Sequence, residues 1–136
     1  MTQPKQAIPT PKVPISWGEL LDKISILEIK CERLTAEAAL ANAGRELRLL
    51  RAIAEPVLAD DAATRELTRR LKALNEALWE IEDRIRAKEA AAQFDPEFVE
   101  LARLVYRRND ERGALKREIN VRLASELVEE KSYTRY

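Results

Sequence analysis

Apolar residues recur at three- and four-residue steps along most of this chain, and that spacing predicts four amphipathic helices. Leu20, Ile24, Leu27, Cys31 and Leu34 form the stripe of the first. Ile26 and Ile29 widen that stripe until it can face two neighbours, which makes helix 1 the central one. Its start is set at Trp17, because Ser16 and Glu19 stand at capping-box spacing while Ile15 and Leu20 stand at the spacing of a hydrophobic staple. Helix 2 carries Leu40, Leu47, Leu50, Ile53 and Ala54 inward, with Thr35 as its cap, Gly44 as an alternative start and Pro56 as a kink or end. Helix 3 is capped by Asp60 or Asp61 and runs to about Ala92, placing Leu67, Leu71, Leu74, Leu78, Ile81 and Ile85 in coiled-coil-like heptads. Asp95 caps helix 4, Pro96 takes its first position and Phe94 pairs with Val99 as a second staple. Its core face is Phe98, Leu101, Val105, Leu115, Ile119 and Leu123.

That last stripe is broken by the string RRNDER, Arg107 to Arg112, where two helical turns offer no apolar side chain on any face. A helix in a bundle points something inward at every turn, so the gap means a buried polar network, a helix break at Asn109 to Gly113 or a protruding end. The short connection between helices 3 and 4 predicts an antiparallel hairpin whose facing residues have numbers summing to about 187. Arg112 then falls beside Asn75, Asn109 near Leu78, Arg108 near Trp79 and Val105 near Glu82. Asn109, Arg112 and Lys116 share one face of helix 4, which Asn120 continues. With Glu28 at the edge of the helix 1 stripe, the candidate cluster is Glu28, Asn75, Trp79, Glu82, Arg108, Asn109, Arg112 and Lys116, with Arg112 bridging Glu82 or Glu28. Such a cluster can fix register as pure structure. It can also form a pocket for a small anion or a sugar phosphate.

Composition narrows the choices. At 136 residues the chain makes one domain, read as an all-α four-helix up-down bundle over residues 16–127, between a proline-rich extended arm (1–15) and a tail (128–136). Lys plus Arg and Asp plus Glu number 24 each, so no net field draws the chain to nucleic acid. With no histidine and one cysteine, Cys31, neither a metal site, a cofactor nor nucleophilic catalysis is expected. The steps of Glu76, Glu80 and Asp83 read as a solvated acidic face. No signal-peptide core and no long apolar run appears, which points to a cytoplasmic protein with no membrane insertion.

Several strings add to this picture: GELLDKISILEIK from Gly18, NEALWEIEDRIR from Asn75, FVELARLVYRRNDERGALKREIN from Phe98 and EEKSY from Glu129. In order and spacing they resemble an uncharacterised bacterial domain-of-unknown-function family of small all-helical proteins, over roughly residues 13–136. The resemblance implies no established activity. It implies a setting near glycosyltransferase and surface-polysaccharide genes, and a tail in which Lys131 and Tyr133 dock onto the bundle. The expected function is a protein-interaction or accessory module that self-associates, quite naturally as a homodimer. The alternative is an enzyme or binding protein for a small anionic metabolite or sugar nucleotide at the polar cluster.

Overall fold

The computed structural model describes residues 6–136, so the first third of the expected arm lies outside the described residues; residues 6–15 carry neither helix nor strand and are exposed. Four helices follow: α1 (Trp17–Arg33), α2 (Glu37–Asp60), α3 (Ala62–Ala90) and α4 (Pro96–Arg122). No strand occurs among the described residues.

Caps fix most of these boundaries. Ser16 Oγ accepts the Glu19 N–H at 3.1 Å, Asp61 accepts that of Ala63 at 3.2 Å and Asp95 accepts that of Phe98 at 2.9 Å. Thr35 does not cap α2: the cap position is Ala36, with no side-chain hydrogen bond, so that start is set by packing instead. Neither Gly44 nor Pro56 interrupts α2. Pro56 is exposed, as is Ala52, whose carbonyl it would leave unpaired, so water can satisfy the lost bond. Both α3 and α4 end in paired reverse hydrogen bonds, Gln93 N–H to Lys88 O at 2.9 Å and Ser125 N–H to Asn120 O at 2.8 Å. The residues that make these turns, Ala92 (φ 53°) and Ala124 (φ 48°), sit in the left-handed region where glycine is usual.

The helices run up, down, up and down, and α1 passes through the middle, packed on each of the other three. The hairpin of α3 and α4 is pinned near its loop by Lys88, which holds Asp95 at 2.8 Å and Glu97 at 3.3 Å. Arg122 grips Asp61 at 2.7 and 2.8 Å at the opposite end of the bundle. Leu21, Ile24, Leu71, Ala54 and Ile119 lie at the centre of the core, all essentially without solvent contact. The polar turns of Arg107 to Arg112 do not break α4, which is helical throughout.

Two features outside the core shape the surface around those polar turns. Past the ion pair of Arg33 with Glu80 (3.3 Å), α3 continues to Ala90, so the hairpin projects beyond α1 by roughly 15 Å. Beyond Ala124 the chain turns back and runs antiparallel to α4, pairing Glu129 with Lys116, Glu130 with Arg117 and the Tyr136 hydroxyl with Asp110.

Candidate functional site

The polar turns of α4 find their partner in a carboxylate buried on α1. Asp22 is 1% exposed. Its Oδ1 accepts from Asn75 Nδ2 and from Arg112 Nε, each at 2.9 Å, while its Oδ2 accepts from Arg112 Nη2. Two parallel N–H donors on one carboxylate give the bidentate geometry in which a guanidinium is most tightly oriented. Asn75 also donates to Ser25 Oγ at 2.7 Å, and that hydroxyl donates to the Asp22 main-chain carbonyl at 2.8 Å. Lys116, also buried, stands 3.9 Å from Asp22 and bonds Glu19 at 2.7 Å and Glu129 at 2.9 Å. Among the described residues no buried side-chain polar atom lacks a partner, as a polar network inside a core requires.

These contacts keep the cations charged. The Asp22 hydrogen bonds raise the Arg112 pKa against the opposing effect of burial. Burial pushes Lys116 down, but its bonds to Glu19 and Glu129 and the Asp22 charge more than compensate, and its pKa lies above the ordinary lysine value. Reciprocally, the Lys116 hydrogen bond holds Glu129 below the usual carboxylate range. Because the folded pKa of Glu129 is depressed, its stabilisation is present above the ordinary carboxylate pKa and is lost as pH falls through the lower folded value. Glu129→Gln therefore lowers stability by about 1 kcal/mol at neutral pH, discounted for partial exposure. Urea unfolding at a series of pH values will show the gap closing in acid.

Arg112 spends Nε and Nη2 on Asp22, and its Nη1 makes only a long 3.4 Å contact with Asn109 Oδ1. Both residues line a recess of about 440 Å³ between α1, α3 and α4. Ile26, Ile29, Leu78 and Trp79 form its apolar wall, and Asn75, Glu82 and Asp83 complete its polar one. The buried carboxylate thus sets the plane of the guanidinium and leaves one edge for the recess. Glu82 has only Arg86, at 3.6 Å and highly exposed, and Asp83 has no ion-pair partner among the described residues.

Of the eight residues singled out from the sequence, the structure brings Asn75, Trp79, Glu82, Asn109 and Arg112 into this one recess. Lys116 lies behind it and, with Asn109, lines a second cavity under the C-terminal segment. Arg108 is directed elsewhere, paired with Glu111 at 2.8 Å. Glu28 faces α2 and α3, bonding Arg51 and Lys72 at 3.2 Å each. The carboxylate that bridges Arg112 is therefore Asp22 and neither Glu82 nor Glu28, because Asp22 alone lies on the strip of α1 that meets both α3 and α4. Asp22, Ser25 and Glu129 are the members that helical spacing does not single out; Asn120 falls on the α4 face by spacing, while Glu19 and Asp83 read as a capping residue and as part of an acidic face. Asp22 precedes Ile26 by four residues and Ile29 by seven, so the widened stripe of α1 already carried the signal.

A profile of a family of unknown function spans residues 11–136, which takes in every residue of this network and of the C-terminal segment. The chain belongs to DUF6165. No curated protein matches it, and no solved structure does. What this DUF6165 chain can do therefore rests on its own groups. No helix among the described residues is long and apolar enough to cross a membrane.

Proposed function

We propose that the recess between α1, α3 and α4 binds a small hydroxylated metabolite carrying an anionic group, with a sugar nucleotide as the ligand type that fits best. The observation that carries this reading is the bidentate hold of buried Asp22 on Arg112, which preorganises a charged donor at the rim of an open recess. Trp79 offers a flat face for a ring, Glu82 and Asp83 offer acceptors for hydroxyl groups, Asn75, whose two N–H groups go to Asp22 and Ser25, offers its Oδ1, and Asn109 offers its Nδ2. A bare anion fits less well, because Arg112, Lys116 and Arg108 each already face a carboxylate. Binding is proposed, with no catalytic step assigned. Residence in the cytoplasm is part of the same proposal.

A thermal-shift screen of sugar nucleotides tests it, run beside a Glu82→Gln/Asp83→Asn variant whose changes fall on half-exposed or exposed positions that carry little of the fold. Ligand at a hundred times its dissociation constant adds about 2.7 kcal/mol to the wild type. The variant should show at most a fraction of that shift. A panel that moves neither protein, or moves both equally, contradicts the recess as the site.

A protein-interaction role has its own observation. Phe94 is 60% exposed at the projecting hairpin end, edge-on to Phe98 at 5.3 Å, Val99 is exposed as well, and Lys88 ties that turn to Asp95 and Glu97. An exposed aromatic on a tethered turn is what a binding anchor looks like before its partner arrives. A photo-crosslinking phenylalanine analogue at position 94 should give a discrete adduct in the producing cells. Sedimentation velocity will show whether that partner is a second copy, the homodimer expected from the heptads. Absence of any adduct together with a monomer at every concentration would sink this second role.

A further inference from the structure

On the far side of Asn109 from Trp79, a recess of about 590 Å³ opens between α4 and the C-terminal segment. Tyr106, Asn109 and Asp110 form its α4 wall, and Lys131, Tyr133 and Tyr136 form its outer wall. A smaller cavity of about 280 Å³ continues it toward Lys116 and Asn120. Gly113 leaves the floor open: a Cβ there would find only Lys131 Nζ, at 3.9 Å. Of the carboxylates in these walls, Glu129 is ion-paired, while Asp110 is hydrogen-bonded but has no ion-pair partner among the described residues. Asp110 accepts the Tyr136 hydroxyl, and Glu129 accepts from buried Lys116. Lys131, by contrast, has Glu129 Oε1 only at 3.6 Å, and its side chain remains 38% exposed. Across the two cavities the cations Lys116, Arg117 and Lys131 outnumber the carboxylates Asp110 and Glu129, so the lining carries a net positive charge, and Lys131 stands among tyrosine rings, of which Tyr106 and Tyr136 lie 4.9 Å apart.

The geometry points to a second subsite, under the C-terminal segment, for the phosphorylated, ring-bearing end of a ligand, with the phosphoryl oxygens on Lys131 and the ring against Tyr106 and Tyr133. This assignment rests on the ligand-binding reading of the neighbouring recess, with which it shares Asn109. One ligand can then lie across Asn109, its hydroxylated part toward Trp79 and its phosphorylated part toward Lys131. Half of the subsite is built from the C-terminal segment, which touches α4 mainly through side-chain contacts at Glu129, Glu130 and Tyr136. Binding and seating of that segment are consequently linked: a ligand that needs Lys131 and Tyr133 in place also holds them there.

The test uses uridine 5′-diphosphate as the probe and the full chain as wild type, Lys131→Ala, Tyr133→Ala and, as a control on an exposed cation outside both recesses, Arg103→Ala. Isothermal titration should give binding to the wild type and to Arg103→Ala with equal affinity. Lys131→Ala should bind about tenfold more weakly, the loss of one charge-assisted contact. Tyr133→Ala should weaken binding several-fold. Trypsin cleavage after Lys131 and Arg135 should slow when the diphosphate is present in the wild type and not in Lys131→Ala cut at Arg135. Equal affinity in the wild type and Lys131→Ala overturns the subsite. If uridine diphosphate fails to bind while a sugar nucleotide still gives a shift that Glu82→Gln/Asp83→Asn abolishes, the subsite falls and the Trp79 recess stands. If neither binds, both fall.

Discussion

Arg112→Met destabilises the bundle by about 3–5 kcal/mol, the cost of leaving a buried carboxylate without its ion partner. Asp22 is 1% exposed, and Arg112 supplies two of its hydrogen bonds. After the substitution only Asn75 remains as a hydrogen-bond donor to that carboxylate, with Lys116 at 3.9 Å. Urea unfolding measures the loss. Arg108→Met, which breaks only the exposed pair with Glu111, should change stability by no more than about 0.5 kcal/mol. Asp22→Leu combined with Arg112→Met removes both charges together and should recover most of the loss, since an apolar pair of similar volume is often as stable as the ion pair it replaces. The double variant therefore separates the structural role of the pair from its proposed role at the recess: it folds, and it no longer binds. A single Arg112→Met variant as stable as the wild type would mean that Asp22 is not buried against Arg112 and that the network is not as described.

Gly18→Ala is the second large effect. Gly18 lies where α1 crosses α4, its N–H donating to Asn120 Oδ1 at 2.7 Å. A Cβ on it would stand 2.5 Å from the Lys116 carbonyl oxygen and 3.0 Å from Asn120 Oδ1. The oxygen belongs to the backbone of a packed helix, so no side-chain rotation relieves the clash and the two helices must separate. Overpacking of this kind costs about 1–3 kcal/mol, more than the roughly 1 kcal/mol that alanine gains over glycine inside a helix. Gly113→Ala is the matching control. Its Cβ meets nothing nearer than 3.9 Å, so it should stabilise the protein by about 0.5–1 kcal/mol. Opposite signs at two helical glycines, read in one set of thermal melts, check the α1–α4 contact directly. A neutral Gly18→Ala would show that the helices do not approach this closely.

The bundle was legible because its signals are local. Ser16, Asp61 and Asp95 cap the helices they precede, and the heptads of α3 place Leu71 and Ile81 in the core. The hairpin register followed from one short loop, and that register alone brings Asn75, Trp79, Glu82, Asn109 and Arg112 to one level of the bundle. The misses are tertiary. Thr35 has good capping chemistry, but packing starts α2 at Glu37 without it. Glu28 sits at the edge of the same helix as Asp22, yet it turns to Arg51 and Lys72 on another face. Nothing in a loop length or a heptad fixes how α1 is rotated against α3 and α4, and that rotation decides which of its carboxylates is buried with Arg112. Glu19 shows the same limit: its spacing from Ser16 suits a capping box, but its carboxylate reaches across to Lys116.

The role of Lys116 ties the fold to the recess and to the C-terminal segment at once. It is buried, it keeps its charge, and its two shortest bonds go to α1 through Glu19 and to the returning chain through Glu129. The same side chain that helps seat the segment also lines the cavity beneath it. Stability of the segment and occupancy of the site should therefore rise and fall together.

The most direct test of the central claim, that the recess beside Arg112 holds a ligand, is the emission of Trp79 in a Trp17→Phe background titrated with a sugar nucleotide such as UDP-glucose. A ligand seated in that recess gives a saturable change in Trp79 emission that disappears in the Glu82→Gln/Asp83→Asn variant. Emission that stays flat while the same ligand binds the protein by calorimetry, or a change that persists undiminished in the variant, would place the ligand elsewhere and leave the Asp22–Arg112 network as structure alone.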